Sequence, residues 1–428
     1  MVGVEAVSVE ASTEPAGILK LQTYEEGDIV DFVVKDHRND NEMPSFAQLK
    51  AQNFPNAAMD DEKLCLRGHG GEWPDLAVDR LVTNMMQANL IRGGILLNHL
   101  CFHAFADGAA MWKLMELFVE DVRRVQGLPI DHPVEISITD RLKLPHSTGE
   151  HVCANFAQEH REFTHLPFTP TALPHSLTKA RHHAHVFRFM PDAIRALKED
   201  CAPSKLHLLK DEIPADKLPA FVSTNDVSTA LFWRSVQRGE QADHSSVSAD
   251  KLSVMQVALD TQRRNHVSAH PHTLGNILGY AAAILPLSDV LSSETASLAD
   301  LAAVVRQAVV KCGKSYYDEL AHYVETVDDV NRLATTAFLD LSGASVLQSN
   351  WSEFDYYSIE WGPAFGNHIK AVRFPAGGIC PGLQVIMPSP PDAPKGTIEA
   401  LVDLSDEAWP RLLIDETWNR FATYPTTI

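Results

Sequence analysis

The stretch from Gly93 to Phe118 constrains the fold more than any other part of this sequence. Ile95–Leu100 is an apolar run with the length of a buried strand, and it follows two glycines. From Gly108 onward, apolar residues recur at helical spacing: Ala110, Met111, Leu114, Met115 and Phe118. Between the two lies His103, followed four residues later by Asp107. We therefore predict a strand–turn–helix unit that holds an imidazole rigidly beside a cavity.

The residue types in this turn are suited to proton transfer. A neutral imidazole, with an ordinary pKa of ~6.5, can act as a base at neutral pH. Asp107 can orient His103 or brace the turn, and Gly108 permits a backbone angle that other residues resist. A histidine near an aspartate is more often structural in an arbitrary sequence, so the functional interpretation depends on the rest of the chain.

The segment His103-x-x-x-Asp107-Gly108 resembles the acyl-transfer motif of the CoA-dependent acyltransferase superfamily. Downstream segments narrow the resemblance to the BAHD family, in particular its fungal, trichothecene-acetyltransferase-like branch. Ser223-Thr224 and the helix pattern after it resemble the segment that opens the family's second domain beside the CoA site. The segment ending in Arg264 resembles the family's Asp-x-Arg-x-Arg strand end, followed here by Gly275-Asn276.

A last segment resembles the family's Asp-Phe-Gly-Trp-Gly motif at its final two positions, Trp361 and Gly362. Ser358, Ile359 and Glu360 replace the first three residues, and Gln262 replaces the first arginine of the other segment. In the family that aspartate pairs with an arginine, so loss of both partners leaves no buried charge unpaired. Alternatively, Asp355 supplies the carboxylate from a shifted position.

The resemblance covers roughly residues 60–428 and implies an α/β fold. We expect two similar chloramphenicol-acetyltransferase-like domains, each with a mixed β-sheet and flanking helices, and a channel at their interface. The expected division is an N-terminal domain at 1–200, a crossover at 201–220 and a C-terminal domain at 221–428. Family members carry a further strand and helix near their start, so the chain looks shortened at its N-terminus. No internal duplication is visible in the sequence itself.

Composition limits the partners. The 36 basic and 56 acidic residues give a formal net charge of -20. Such a chain repels nucleic acid and anionic membranes, and an anionic co-substrate needs a local basic pocket. The six cysteines show no paired spacing and are expected to be free thiols in a reducing compartment. No signal peptide or membrane-span pattern is present, so we predict a cytoplasmic monomer.

Two other stretches carry competing interpretations, and two more are each expected to form one kind of structure. His182, His183 and His185 are dense enough to suggest a metal, but a polar strand edge is favoured and no metal site is predicted. Residues 202–219 are a solvated linker, or place lysines near a cofactor's phosphates. Residues 127–174 are expected to form a long loop, and residues 297–323 one long amphipathic helix.

The resemblance implies transfer of an acyl group, in the first instance acetyl, from acyl-CoA to a hydroxyl or amine of a small secondary metabolite. His103 is the expected general base, with Asp107 in an orienting role and Gly108 structural. The expected CoA contacts are Ser223, Thr224, Arg264, Trp361 and Gly362. Acyl-CoA is a co-substrate, and no bound cofactor is expected. No acyl-enzyme is required, because no cysteine has a nucleophile arrangement and Gly-x-Ser-x-Gly does not occur.

Three alternatives remain open. The chain could be a descendant of the fold that binds a small molecule or a partner without transferring an acyl group. It could resemble condensation domains, which accept acyl groups from carrier proteins; these commonly have a second histidine at the position of Phe102. It could also use the same base for another reaction, such as a cyclisation.

Overall fold

The computed structural model describes residues 7–11, 16–23, 32–66, 81–135, 147–178, 181–209, 221–243, 248, 250–264, 274–313 and 315–424. Within these ranges the chain alternates strands and helices. The strands are β1 (Val7–Ala11), β2 (Leu19–Thr23), β3 (Phe32–Asp36), β4 (Leu81–Val82), β5 (Asn84–Ile91), β6 (Gly94–Cys101), β7 (Phe163–His165), β8 (His182–Phe189), β9 (Leu252–Asp260), β10 (Leu278–Pro286), β11 (Leu333–Thr335), β12 (Ser345–Asn350), β13 (Leu383–Met387) and β14 (Ile398–Ser405).

The α-helices are α1 (Phe46–Ala51), α2 (Asp61–Leu64), α3 (Gly108–Val125), α4 (Phe156–Glu159), α5 (His175–Thr178), α6 (Pro191–Asp200), α7 (Thr224–Glu240), α8 (Thr261–Arg264), α9 (Leu287–Leu291), α10 (Leu298–Lys311), α11 (Tyr316–Thr326), α12 (Trp409–Ile414) and α13 (Glu416–Phe421). Short 3-10 turns lie at Asn56–Ala58, Pro203–Lys205, Val330–Arg332, Thr336–Leu339 and Pro363–Phe365.

The largest sheet among the described residues is mixed and has the order β10-β9-β12-β13-β14-β8. Strand β12 runs parallel to both of its neighbours, β9 and β13, and the other pairs are antiparallel. A smaller mixed sheet has the order β3-β5-β6, with β3 parallel to β5. The predicted mixed sheets with flanking helices are therefore confirmed. Strands β1, β2 and β4 pair separately, as do β7 and β11.

Helix α7 is the central buried element of the large sheet's helical layer. Every residue from Asp226 to Gln237 is buried, although half of them are polar, so these polar side chains need partners inside the protein. Its buried Arg234 donates to the main-chain oxygens of Val290 (2.9 Å) and Ala296 (2.7 Å). Burial lowers the pKa of Arg234 to about 10. These carbonyls replace the water that the guanidinium loses on folding.

The small sheet carries the strand of the predicted strand–turn–helix unit. Strand β6 ends at Cys101 and helix α3 begins at Gly108, as the apolar run and the helical spacing predict. One side of α3 packs against Trp361 and Tyr356 of the C-terminal half, together with Met86 of β5. The helix thus lies between the small sheet and residues that come more than 200 positions later.

The large sheet does not follow the expected division at residue 200. Strand β8 forms the edge of this sheet beside β14, and α6 packs against α7. The C-terminal sheet therefore takes an edge strand from the part of the chain before the expected crossover at 201–220. Of that crossover, residues 210–220 lie outside the described residues, which include Lys210 and Lys217. The organisation into two similar domains remains a prediction.

Two expectations about secondary structure are wrong in detail. The long helix expected at 297–323 is two helices, α10 and α11, because the helix stops at Cys312 and Gly313. The long loop expected at 127–174 contains the short helix α4 and the strand β7, which pairs with β11. Residues 136–146 of that loop lie outside the described residues.

The cysteines are unpaired and the histidine cluster lies on a strand edge, as expected. All six cysteines are free. His182 and His183 lie on the edge strand β8, and each pairs with its own carboxylate, Asp403 (2.8 Å) and Asp406 (2.6 Å) respectively. Among the described helices, none has the length and apolarity needed to cross a membrane.

Candidate active site

His103 lies on a tight turn that joins β6 to α3. The turn is closed by the amide of Phe105, which donates to the carbonyl of Phe102 at 2.8 Å. Phe105 and Ala106 are buried and anchor the turn in the core, whereas the His103 side chain is exposed. The imidazole is therefore held by its neighbours but is not enclosed by packed side chains.

Asp107 connects this turn to the C-terminal half of the chain. Its carboxylate caps α3 by accepting from the amide of Ala110 (3.0 Å), and its other oxygen accepts from the amide of Ile277 (3.0 Å). Its own amide donates to the carbonyl of Gly275 at 3.2 Å. Since both oxygens accept main-chain hydrogen bonds, the geometry favours a positioning role for Asp107 over proton transfer.

The charge of Asp107 reflects a balance of opposing effects. Burial raises the pKa of the Asp107 carboxyl, and the negative charge of Asp260 acts in the same direction. The amides of Ala110 and Ile277 and the nearby His103 oppose this rise in pKa. The carboxylate thus lies close enough to His103 for the histidine to lower the pKa of Asp107.

Gly108 is required by a close approach and not by its backbone angle. It is the first residue of α3, and its backbone is helical, so the expected need for an unusual angle is wrong. A Cβ atom at this position would lie 2.9 Å from Cε2 of Phe354 and 3.1 Å from Nε1 of Trp351. The start of α3 therefore packs directly against the segment that follows β12.

Ser223 and Thr224 form the start of α7. The Ser223 hydroxyl accepts from the amide of Asp226 (3.2 Å), and the Asp226 carboxylate accepts from the amide of Ser223 (2.6 Å). This is a capping box, which satisfies donors at the helix start. Asp226 also pairs with Arg306 at 2.9 Å. Thr224 occupies the first helical position and is half-buried; CoA contact by Ser223 or Thr224 remains a prediction.

Arg264 is exposed at the end of the short helix α8. Its neighbour Arg263 forms an ion pair with Glu353, and both of those side chains are about 70% exposed. Glu353 was not predicted, because it lies five residues before the position expected to carry a carboxylate. The alternative partner, Asp355, instead closes a turn by accepting from the amide of Ser358 at 3.3 Å.

Trp361 and Gly362 pack against the C-terminal half of α3. The ring of Trp361 is buried and contacts Phe118, with centroids 6.1 Å apart. The side chain of Gln126 donates to the carbonyl of Trp361 at 2.8 Å. Gly362 has a φ of +87°, and a Cβ there would lie 2.5 Å from Cδ1 of Leu128. Along the helix, Phe118 is about 15 Å and Gln126 about 27 Å from the start at Gly108.

The structure therefore brings together some of the predicted residues and separates others. At the start of α3, Asp107 contacts Ile277 and Gly108 packs against the Trp351–Phe354 segment, and His103 lies on the turn directly before them. The Gly275-Asn276 signal in the sequence marked the loop that Asp107 contacts, but nothing in the sequence marked Ile277 or Phe354. Trp361 and Gly362 lie toward the opposite end of the helix.

Comparison with known proteins supports the resemblance. Residues 2–121 match the family described as the trichothecene 3-O-acetyltransferase-like N-terminal domain. The similarity thus extends nearer to the N-terminus than the expected range of 60–428. The trichothecene 3-O-acetyltransferase of Fusarium sporotrichioides is 24% identical over 423 residues, which are 95% of this chain and 82% of that protein.

The chain is also similar to part of a longer protein and to a crystal structure of the same fold. An enoyl-CoA isomerase/hydratase of Penicillium crustosum is 26% identical over 381 residues, which cover 88% of this chain but 40% of that relative. A crystal structure of F. graminearum TRI101 complexed with coenzyme A and deoxynivalenol matches with a TM-score of 0.76 at 21% identity. That match covers 98% of this chain and 88% of the other. The chain thus has the fold of BAHD-type acyltransferases, and its residues 2–121 are similar to the trichothecene 3-O-acetyltransferase-like N-terminal domain.

Proposed function

We propose that this protein transfers an acyl group, acetyl in the simplest case, from acyl-CoA to a hydroxyl or amine of a small secondary metabolite. The observation that carries the proposal is the exposed His103 imidazole on a turn fixed by buried neighbours and by Asp107. The fold supports it, because a protein of the same fold has been crystallised with coenzyme A and a small-molecule acceptor.

In the proposed reaction His103 acts as a general base. The neutral imidazole takes the proton of the acceptor hydroxyl or amine as the acceptor oxygen or nitrogen attacks the thioester carbonyl carbon. The carbon–sulfur bond then breaks, and the imidazolium returns the proton to the departing CoA thiolate. General base catalysis of this kind contributes about 10²–10⁴-fold, and placing the two substrates side by side supplies a further share.

Asp107 supports this chemistry without touching the substrates. By holding the amides of Ala110 and Ile277, it fixes the start of α3 relative to the loop before β10. The direction of the His103 side chain depends on that turn. Gly108 allows Phe354 to approach closely enough to close the same junction.

We assign the binding of CoA, the acyl donor, to residues in the C-terminal half of the chain. Arg264, exposed on a chain with a formal net charge of -20, supplies local positive charge for the phosphates of CoA. Ser223 and Thr224 offer hydroxyl groups at the start of α7, where the helix dipole favours negative charge. Trp361 and Gly362 contribute by placing α3, which they hold at its far end.

The decisive variant is His103→Ala. Release of free CoA thiol from acetyl-CoA, measured with a panel of alcohols that includes deoxynivalenol, is expected to fall by at least about 100-fold. Circular dichroism and thermal melting should remain those of the unaltered protein, because the His103 side chain is exposed. His132→Ala, which removes another exposed histidine, is the matched control and should retain full activity.

Full activity of His103→Ala would overturn the assignment of the base. Saturable binding of acetyl-CoA in titration calorimetry, without thiol release on any acceptor, would instead favour the non-transferring alternative. Conversion of a metabolite without thioester consumption would favour the cyclase alternative.

We further propose that the protein works as a cytoplasmic monomer, and light scattering after size-exclusion chromatography tests the oligomeric state.

A further inference from the structure

Three side chains with metal-binding atoms converge at a place that the proposed reaction does not use. The Sγ of Cys153, a ring nitrogen of His160 and a carboxylate oxygen of Glu319 all lie within 4.8 Å of one another. His160 is buried, and the other two are half-buried, so an ion can reach the gap from the solvent side. We propose that these residues bind a Zn²⁺ ion that fastens residues 147–165 to helix α11.

The spacing is close to that of a tetrahedral zinc site, and the Sγ of Cys153, within 4.8 Å of the other two ligand atoms, would move inward on binding. With bonds of about 2.3 Å to sulfur and about 2.0–2.2 Å to nitrogen and oxygen, the ligand atoms of such a site are about 3.3–3.7 Å apart. Nε2 of His160 and Oε2 of Glu319 are 3.0 Å apart. A widening of a few tenths of an ångström between these two atoms therefore admits the ion. The three side chains leave the fourth position for a water molecule.

A second carboxylate prepares His160 for this role. Oε1 of Glu162 lies 2.9 Å from Nδ1 of His160, and Glu162 is itself buried. When Nδ1 donates its proton to Glu162, the lone pair of Nε2 points into the gap. A carboxylate on the second ring nitrogen is the usual support of a metal-bound histidine. The ring of Phe156 stacks on the imidazole with centroids 4.4 Å apart and fixes its plane.

Without a metal ion, the His160 ring lies between two carboxylates, with Nδ1 2.9 Å from Glu162 and Nε2 3.0 Å from Glu319. Neither of these contacts involves Cys153. A thiolate together with an imidazole selects Zn²⁺ over Mg²⁺ or Ca²⁺, which prefer oxygen ligands. Zinc takes the sulfur as a thiolate and the imidazole as a neutral ring, so binding releases the protons that these ligand atoms carry.

The zinc site would add to contacts that already hold residues 147–165 against helix α11. Asp318, beside Glu319 on α11, accepts from the hydroxyls of Ser147 (3.1 Å) and Thr148 (2.9 Å). Phe156 stacks on Tyr323 of the same helix. A zinc ion between Cys153 and Glu319 adds a cross-link between these two contacts, and so holds the segment before β7 against α11.

The test uses the full chain, stripped with a chelator, and zinc as the probe. Native mass spectrometry should show one Zn²⁺ per chain, and competition with a chelating dye should give its affinity. Cys153→Ser, which is nearly isosteric and leaves the His160–Glu319 pair intact, should weaken binding by at least tenfold. Glu162→Gln should weaken it by about 10–100-fold. His322→Gln, on the same helix as Glu319, is the control and should bind like the unaltered protein.

Cobalt gives an independent readout of the thiolate. Co²⁺ bound in place of zinc should show a sulfur-to-metal charge-transfer band, which Cys153→Ser should abolish. The proposal is overturned if the unaltered protein and Cys153→Ser bind zinc equally, or if the cobalt band persists without Cys153. Acyl transfer has no part in these measurements, so they are independent of the proposed reaction.

Discussion

At the scale of single residues, Asp107 shows that an acidic side chain in a proposed catalytic motif can serve to hold the backbone. It is one of the two polar residues of the motif, yet both of its oxygens bind main-chain amides from separate parts of the fold. From the sequence, Asp107 was expected to orient His103 or to brace the turn, and its cap on the first turn of α3 is a contact of the second kind. The second partner, Ile277, is 170 positions away and follows only from the tertiary structure.

Arg264→Gln tests the donor side. Loss of a charge-assisted hydrogen bond to a CoA phosphate costs about 1.5 kcal/mol, so KM for acetyl-CoA should rise about tenfold while kcat changes little. Steady-state kinetics with acetyl-CoA as the varied substrate measure this difference. Arg195→Gln, which removes an exposed arginine paired with Asp192, should leave KM unchanged. A KM that does not respond to the loss of Arg264 would remove this residue from the CoA site.

His99 should contribute to acid sensitivity. Burial lowers its pKa to about 4, and its Nε2 lies 2.6 Å from the Asn84 side-chain oxygen. The unfolded chain, with an ordinary histidine pKa of ~6.5, binds a proton between pH 6.5 and 4 that the folded protein does not bind. The stability associated with His99 is therefore present above pH 6.5 and is lost as the pH falls toward 4.

His99→Gln should remove that part of the pH dependence. The free energy of unfolding, measured with urea between pH 7 and 4.5, should fall less steeply in the variant as the pH is lowered. Near pH 5 the difference in slope should correspond to about one fewer proton taken up on unfolding. His132→Ala, at an exposed position, should keep the slope of the unaltered protein. Equal slopes in His99→Gln and the unaltered protein would show that His99 is protonated in the folded state.

At the scale of elements, the start of α3 is defined by contact with the C-terminal half. Gly108→Ala should destabilise the protein by about 1–3 kcal/mol, because its Cβ would be too close to Phe354 and Trp351. Urea unfolding measures the change. Phe354→Leu removes the closest ring atoms, so adding it to Gly108→Ala should recover part of the loss. A Gly108→Ala variant as stable as the unaltered protein would contradict the argument from close approach.

The elements themselves were predicted to different degrees. Strand β6 and helix α3 follow from the apolar run and the helical spacing, because both are periodic over several turns or residues. The break between α10 and α11 was missed because the apolar pattern continues across it, whereas the helix stops at Cys312 and Gly313. The pairing of β8 with β14 was missed because the partner strand follows more than 200 positions later.

At the scale of the molecule, Arg373 ties the N-terminal part of the chain to the large sheet. Its guanidinium donates to the carbonyls of Asn53 (3.0 Å) and Phe54 (2.7 Å) and to the buried carboxylate of Glu399 (2.9 Å). Glu399 also accepts from Arg188 at 2.8 Å. This network could not be predicted, because neither arginine nor glutamate carries a local signal of burial.

Arg373→Leu should destabilise the whole protein by about 3 kcal/mol or more, since it leaves a buried carboxylate with one of its two partners missing. Chemical denaturation of the two proteins measures the difference. Arg38→Gln removes an arginine that pairs with Asp36 on the surface, and it should leave the free energy of unfolding close to that of the unaltered protein. Similar losses in the two variants would show that the Arg373 network does not stabilise the fold.

The hydrogen bonds that hold the two ends of α3 affect how freely the surrounding sequence can change. At the start of the helix, Asp107 binds the main-chain atoms of Gly275 and Ile277; near its end, Gln126 binds the main-chain oxygen of Trp361. On the C-terminal side these bonds use main-chain atoms, which every amino acid except proline possesses in full. Side chains there can therefore change without loss of the bonds, and the fold itself is shared with a structure that is only 21% identical to this chain.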